Sequence, residues 1–367
     1  MNILHITYTL DEGGVDTLLL EMLPYIHRKG ANIDLLVLKK GNNKLVEQIK
    51  EQGIRVLNGR YRNIYDIRNI IFIYNLFHLY DIVHCHLFPI QYFVGIASIF
   101  KKNIPIIITT EHCTTNRRRS IKFLRPLEKF IYSKYDKIIC ISKAAANNLI
   151  QWVGLNHKVI RIDNGINLSR ILNAQPLTKE DIGISDDSIV IMMVARFFAQ
   201  KDHKTAIRAM KYLSNKNKLV FVGSGEMIEA CKSYVADRRL RDRVIFLGNR
   251  QDIPSLIKCA DIGLLSSNFE GLPISLIEFC SAGIPIVGTR IDGIKELVND
   301  DNLLFTIGNE MELSKCIKYL SNSDTYQSAS EINRINSLNY SIEKTANQYF
   351  LIYQTMYNDI KYKHSNS

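Results

Sequence analysis

No Cys-x-x-Cys occurs in this chain, although it holds seven cysteines. An odd number of thiols without that spacing, most of them in apolar runs, argues against a disulfide framework or a zinc ribbon. It fits buried, reduced cysteines in a cytoplasmic protein. No apolar run reaches the ~18 clean residues that a membrane span needs. The nearest is the stretch between Arg68 and Lys101, which has no Lys or Arg. Asn75, Asp81, His84, His86 and Pro89 interrupt it, so it reads as a buried strand between two helices. The first residues, Met-Asn-Ile-Leu-His-Ile-Thr, lack the basic segment and cleavage site of a secretory signal, and none is expected. Also missing are an internal repeat, a low-complexity tract, a nucleic-acid-binding motif and a complete G-x-G-x-x-G.

What is present points to a folded two-domain protein. With 367 residues, 46% of them hydrophobic, the chain is too long for one ordinary core and too apolar for disorder. Its net charge of +11 is unevenly placed. Residues 1–170 hold 24 Lys and Arg against 13 Asp and Glu, whereas 171–367 hold 23 of each. All the excess therefore sits in the first half, which predicts an anionic partner there. The two choices are nucleic acid and an anionic membrane surface; with no nucleic-acid motif, the membrane is preferred.

Apolar periodicity places strands at 2–8, 33–38, 54–57, 81–87 and 104–110, alternating with helices at 15–27, 43–52, 66–78 and 89–100. The pattern continues with strand 136–142, helix 143–152 and strand 159–166. Residues 167–186 are polar and mark the domain junction. A second series has strands at 189–194, 218–222, 244–247, 261–267 and 285–288. Repeated βαβ units predict α/β architecture, two Rossmann-like domains with mostly parallel sheets. The domains are expected at 1–170 and 171–340. Residues 321–340 read as a polar loop, and 341–362 as an amphipathic helix. On such sheets ligands bind at the carboxyl ends of strands, and most of the residues with useful chemistry fall there.

In Phe269-Glu270-Gly271-Leu272-Pro273-Ile274-Ser275-Leu276-Ile277-Glu278, two carboxylates stand eight positions apart around a strand–loop–helix turn. Pro273 suits the first position of a helix and Gly283 its end. The helix N-terminus there suits a phosphate. Spacing alone also fits two solvated glutamates. Gly13-Gly14 opens a similar strand–loop–helix turn, and Gly223-Ser224-Gly225 follows a strand. Arg196 and Lys201 follow the strand at 189–194, and Gly248-Asn249-Arg250 follows that at 244–247. Thr109-Thr110-Glu111-His112-Cys113 ends the strand at 104–110. His84 and His86 share one strand face and so can hold a metal, but no third ligand stands at useful spacing, and no metal site is expected. From Asn116 to Pro126 the chain is strongly basic. On a helix, Arg118, Lys122, Arg125 and Lys129 would share one face, with Phe123, Leu127 and Phe130 on another, an arrangement suited to anionic lipid. A solvated basic loop is the alternative.

Taken together, these segments resemble the retaining nucleotide-sugar glycosyltransferases of GT-B fold known as family 4, over roughly residues 1–360. The most specific matches are Glu270 with Glu278, the family's E-x7-E signature, and Arg196 with Lys201. The resemblance implies two domains facing a cleft, with the C-terminal helix packed back on the first. It also implies roles. Glu278 and the nucleotide-side residues Gly223 and Arg250 would bind the nucleoside. Arg196, Lys201, Gly14 and the amides around Leu272 and Pro273 would hold the donor diphosphate. His112 and Glu270 would meet the donor sugar as catalytic residues. Phe279 where Ala is usual, Asp16 where Glu is common, and Cys113 after the histidine are departures. Fixed cations and a helix end can stabilise a departing nucleoside diphosphate, so no metal or cofactor is expected. The implied reaction moves a hexose from a nucleotide-diphosphate sugar, UDP-sugar first and GDP-sugar next, to a glycan or lipid-diphosphate-linked glycan, in surface polysaccharide synthesis. Arg117, Arg118, Arg119 and Lys122 are the candidates for contact with an anionic acceptor or membrane, at the inner face of the plasma membrane. Nucleic acid is not expected as a partner. A non-catalytic sugar-nucleotide binder and a sugar-nucleotide epimerase are the other readings of this fold. The site residues occurring together argue against the first, and the absence of epimerase motifs against the second.

Overall fold

The computed structural model describes residues 1–11, 14–39, 41–100, 104–113 and 117–365, and of 117 and 363–365 the backbone alone. The chain divides into two compact units, Met1–Gly165 with Ile342–Ser367, and Ile166–Ser341.

The first unit holds β1 (Asn2–Thr7), β2 (Asn32–Val37), β3 (Arg55–Asn58), β4 (Ile82–His86), β5 (Ile106–Glu111), β6 (Lys137–Cys140) and β7 (Val159–Arg161). Their spatial order is β3-β2-β1-β4-β5-β6-β7, and every pairing is parallel. The second holds β8 (Ile189–Val194), β9 (Asn217–Val222), β10 (Val244–Phe246), β11 (Ile262–Leu265), β12 (Ile286–Thr289) and β13 (Leu304–Phe305), in the order β10-β9-β8-β11-β12-β13. Both orders reverse once, between β1 and β4 and between β8 and β11. That is the doubly wound Rossmann arrangement, and its reversal points open a crevice at the strands' carboxyl ends. Helices cover both faces because parallel strands are joined by crossovers, and the central strands β4, β5 and β11 are buried throughout.

Two elements differ from the sequence reading. Residues 321–340 are not a loop: Ser323–Ser337 is a helix, capped by Asn322, whose side chain accepts from Thr325 N at 3.0 Å. It is polar because polar side chains anchor it. Tyr326 OH donates to Asp261 O (3.0 Å), Ser330 Oγ to Gly283 O (2.6 Å) and Asn333 Nδ2 to Ile284 O (3.0 Å). The basic segment does not form one amphipathic helix either. It makes short turns at Arg117–Ser120 and Lys122–Leu124, and the helix Arg125–Ser133 starts only where Pro126 can occupy its first turn.

The last helix, Ile342–Ser365, belongs to the first unit. It buries Ile342, Ala346, Tyr349 and Tyr353 in the same core as Leu19, Met22 and Ile26 of the helix Gly14–Arg28. Tyr25 OH donates to Glu343 across this contact at 2.8 Å.

Candidate active site

In the second unit the loop after β8 and the loop after β11 are tied into one surface. Arg196, the first exposed side chain after β8, lies with its guanidinium 4.9 Å from the Phe198 ring centre. Lys201 turns inward and donates to Glu270 Oε1. The pair is largely buried, with 19% of the Lys201 side chain and 9% of the Glu270 side chain exposed, so water screens it only weakly. Around it, Gln200 Nε2 donates to Phe269 O (2.7 Å), Asn268 N to Gln200 O (2.8 Å), and Ser266 Oγ to the carbonyls of Lys201 and Asp202. Gln200, Asn268 and Ser266 were missed in the sequence, because each works by bonding backbone in the other loop.

Glycines permit these approaches. At Gly223, with φ +138°, a Cβ would stand 2.2 Å from Ala195 O, so only glycine lets the β9 loop lie against the Arg196 loop. At Gly293 a Cβ would stand 2.3 Å from Gly271 O and 2.6 Å from Glu270 O, so this glycine seats the Glu270 loop. The helix Ile274–Ser281 follows with Pro273 at its cap, one position before the expected start. Pro273 has no N–H to offer an anion, and its carbonyl accepts from Leu276 N at 3.1 Å. Leu272 is buried in the core by its side chain, which leaves its backbone as the part that can face a ligand. Glu278 lies on this helix, half-buried. The departure at Phe279 has its compensation on the neighbouring strand: a Cβ at Gly263 of β11 would stand 2.5 Å from the Phe279 ring, so the absent side chain makes room for it. Arg250 forms a paired contact with Asp252, Nε to Oδ1 at 2.8 Å and Nη2 to Oδ2 at 2.5 Å. The Arg250 bonds hold the Asp252 carboxyl below its usual range.

In the first unit Gly14 opens the helix after β1, exposed; Gly13 lies outside the described residues. His112 follows β5. Its Nε2 lies 3.0 Å from His86 Nδ1, and its own Nδ1 is buried with no partner among the described residues. Burial pushes its pKa down to about 3, so the ring is neutral at ordinary pH. Ser142 caps the helix Lys143–Val153, accepting from Ala145 N at 3.1 Å.

Two expectations need correction. His84 and His86 do have a third histidine beside them, because parallel pairing of β1 with β4 sets His5 opposite His84. One ring nitrogen from each of the three lies within 4.8 Å of the others. Sequence spacing cannot show a neighbour that arrives by strand register. Arg118 and Arg119 do not face outward as a basic surface. Arg118 Nε donates to Glu128 Oε1 at 2.7 Å, and Glu128, fully buried, also accepts from Trp152 Nε1 (2.6 Å) and Tyr92 OH (2.9 Å). Arg119 pairs with buried Glu111 at 3.1 Å, and Glu111 accepts from Tyr132 OH at 2.5 Å. Buried carboxylates need such partners. The side chain of Arg117 lies outside the described residues. Lys122 is exposed, beside exposed Phe123, Leu127 and Phe130.

The architecture matches solved structures along nearly its whole length. Anabaena HepE in complex with UDP and glucose superposes with a TM-score of 0.82 at 19% identity, covering 97% of this chain and 99% of that one. At that identity the likeness speaks for the fold, which is the GT-B fold of glycosyltransferases. Two family models also match: Glycosyltransferase Family 4 over residues 12–170 and Glycosyl transferases group 1 over residues 174–336. The chain belongs to this glycosyltransferase family. One curated relative is the Escherichia coli UDP-Gal:alpha-D-GlcNAc-diphosphoundecaprenol alpha-1,3-galactosyltransferase, 29% identical over 212 residues, 54% of this chain and 55% of that protein. Another is the Bacillus anthracis N-acetyl-alpha-D-glucosaminyl L-malate synthase, 26% identical over 264 residues, 70% of this chain and 69% of that protein.

Proposed function

We propose that the protein transfers a hexose-type sugar, with retention of anomeric configuration, from a UDP-sugar to a lipid-diphosphate-linked glycan in surface polysaccharide synthesis. The observation that carries this reading is the largely buried Lys201–Glu270 pair at the reversal point of the second sheet, with exposed Arg196 in the same loop as Lys201. A cation held by one carboxylate has its position fixed before any ligand arrives. A diphosphate entering there meets Lys201, Arg196 and the helix N-terminus after Pro273, all already in place. As the sugar–oxygen bond lengthens, the sugar gains oxocarbenium character and the diphosphate gains negative charge. These fixed cations stabilise that charge without a metal. Glu270 takes the sugar hydroxyls and Glu278 the ribose. Paired with Lys201, Glu270 is a poor nucleophile, which favours attack and departure on one face over a covalent intermediate. A phosphate oxygen of the donor takes the acceptor's proton, and His112 meets the sugar.

UDP is preferred as the base because the galactosyltransferase relative uses UDP-Gal and the HepE structure contains UDP. The lipid-diphosphate acceptor follows the same relative, whose acceptor is diphosphoundecaprenol-linked. Among the described residues no helix is long and apolar enough to cross a membrane. Contact with an anionic inner leaflet is assigned to Phe123, which is 80% exposed, with Leu127, Phe130 and Lys122. Apolar side chains flanked by cations suit a lipid surface.

The test is thermal unfolding of the purified protein with UDP, GDP or ADP, without metal, followed by product analysis with the matching sugar nucleotide and a lipid-linked acceptor. A nucleotide at about a hundred times its dissociation constant adds roughly 2.7 kcal/mol to the folded state. A shift with UDP alone that disappears in Arg196→Ala supports the reading. A product formed without acceptor would replace it with epimerase chemistry, and binding without any product with a regulatory role.

A further inference from the structure

The first unit contains a buried hydrogen-bond chain that the donor chemistry does not use. Tyr349 OH lies 3.2 Å from Thr110 Oγ1, and Thr110 Oγ1 lies 2.8 Å from His84 Nε2. His84 Nδ1 is 2.6 Å from Tyr353 OH, which is 3.4 Å from His5 Nε2. His5 Nδ1 is 3.0 Å from His86 Nε2, and His86 Nδ1 is 3.0 Å from His112 Nε2. All the members before His112 have no exposed surface. Three strands and the C-terminal helix therefore build one continuous line ending at the His112 Nδ1 atom, which has no partner among the described residues.

We propose that this chain fixes the tautomer of His112, so that Nδ1 carries the proton and the ring is a hydrogen-bond donor, not a base. The argument is a count of protons. A neutral imidazole has one N–H and a phenol one O–H, so each link has one proton and the line has only two consistent directions. In one, His112 Nε2–H donates to His86, His86 to His5, His5 to Tyr353, Tyr353 to His84, His84 to Thr110, and Thr110 to Tyr349. The Tyr349 O–H is then left buried with no acceptor among the described residues. In the other, Tyr349 donates to Thr110 and every later donor finds its acceptor. The single unmatched proton then falls on His112 Nδ1, where a ligand can accept it. His112 Nδ1 has no partner among the described residues in either direction, as a lone pair in the first and as an N–H in the second, but only the first also strands the buried Tyr349 O–H, so the second direction is the stable one. It places the proton on Nδ1 of all four histidines, the opposite of the tautomer that free imidazole side chains prefer.

His5, His84 and His86 look like a metal cluster, but all six of their ring nitrogens already face one of these partners. A cation would have to break several links at once, in a cluster that no carboxylate of the described residues joins. As a donor, His112 suits a sugar hydroxyl or carbonyl oxygen and cannot take the acceptor's proton. This role rests on the glycosyltransfer reading. The tautomer does not, because it is set in the resting protein.

The experiment is long-range ¹H–¹⁵N correlation on the full chain with ¹⁵N-histidine, without nucleotide, at neutral pH. The expected spectrum shows pyrrole-type Nδ1 and pyridine-type Nε2 for His5, His84, His86 and His112. Tyr349→Phe removes the donor that sets the direction. It should turn the His112 signals into a mixture and lower kcat about 10-fold with little change in KM. Tyr353→Phe, which cuts the line at its middle, should scramble His5, His86 and His112 while leaving His84 tied to Thr110. An Nε2–H spectrum in the unaltered protein overturns the proposal. So does an unchanged His112 tautomer in both variants, or stoichiometric uptake of Zn²⁺ that moves the His5, His84 and His86 signals. Absence of turnover with every donor, alongside the expected spectrum, would sink the transfer reading and leave the tautomer assignment standing.

Discussion

The two units present opposite kinds of site on the same kind of sheet. In the second, the working groups are charged: Arg196 exposed, Lys201 on Glu270, Glu278 on the following helix. In the first, they are neutral and dry, with four histidines whose pKa values burial drives far below the usual range. A charged site whose lysine is held in place by a carboxylate suits an anion that comes and goes. A neutral site built into the core suits one fixed contact, since nothing in it can move without breaking a row of hydrogen bonds. The contrast also warns against reading composition directly. The unit with the excess positive charge keeps its candidate site free of charge, and it turns Arg118 and Arg119 inward onto Glu128 and Glu111.

The largest effect should come from Lys201→Ala. It removes the fixed cation proposed to meet the diphosphate and takes away the Lys201 partner of Glu270, and kcat is expected to fall about 10²- to 10³-fold. Steady-state kinetics checks this. A loss under tenfold would mean that the second unit is not the charged half of the comparison. Next in size is an acid effect centred on the first unit, which holds four histidines with depressed pKa values against His203 alone among the described residues of the second. His5 and His112 stay neutral in the folded state down to about pH 3 but take up protons near 6.5 when unfolded. Their folded pKa values are depressed, so the unfolded chain binds more protons below 6.5 and stability falls as pH drops from there toward 3. Each contributes a slope approaching 1.4 kcal/mol per pH unit, roughly. The single tryptophan, Trp152, lies in the first unit, so its fluorescence during urea unfolding at pH 7.5, 6.5 and 5.5 reports that unit directly. A midpoint that does not move would mean the histidines are not buried as neutral groups.

A smaller, local effect is expected of Gly293→Ala. The added Cβ presses on the Glu270 and Gly271 carbonyls, costs about 1–3 kcal/mol and reduces nucleotide-dependent stabilisation. The Trp152 signal should not change. The smallest effect belongs to the surface. Exchanging Lys122 for Glu removes one basic residue and adds an acid, and should weaken binding to vesicles containing anionic lipid by roughly 1 kcal/mol per charge, an effect that high salt removes. Equal binding to neutral and anionic vesicles would detach the membrane from the proposed function.

The strand–loop–helix rhythm was readable because each unit carries its own local signals. The Glu270–Glu278 segment shows a buried strand, a proline at the helix cap and a glycine just past the helix end. What could not be read came from distance. His5 joins His84 only through the register of β1 on β4, and Tyr349 and Tyr353 arrive from the far end of the chain. On the helical pattern alone these two tyrosines are apolar positions, with no sign of a hydroxyl role. Arg118 looks like surface charge until Glu128 is seen to be buried beneath it. The helix Ser323–Ser337 escaped because hydroxyl and amide side chains hold it to carbonyls of the second unit, leaving little apolar stripe to detect.

The helix Ile342–Ser365 has a consequence for the order of synthesis. The seven strands of the first unit leave the ribosome before any of the second unit, yet the two tyrosines that complete its histidine core are made only after all of the second. Until then the ring nitrogens of His5 and His84 have no phenol to meet. The second unit, continuous in sequence from 166 to 341, is free to fold while the first still waits. Truncation of a few turns at the C-terminus should therefore damage the part of the protein that was translated first.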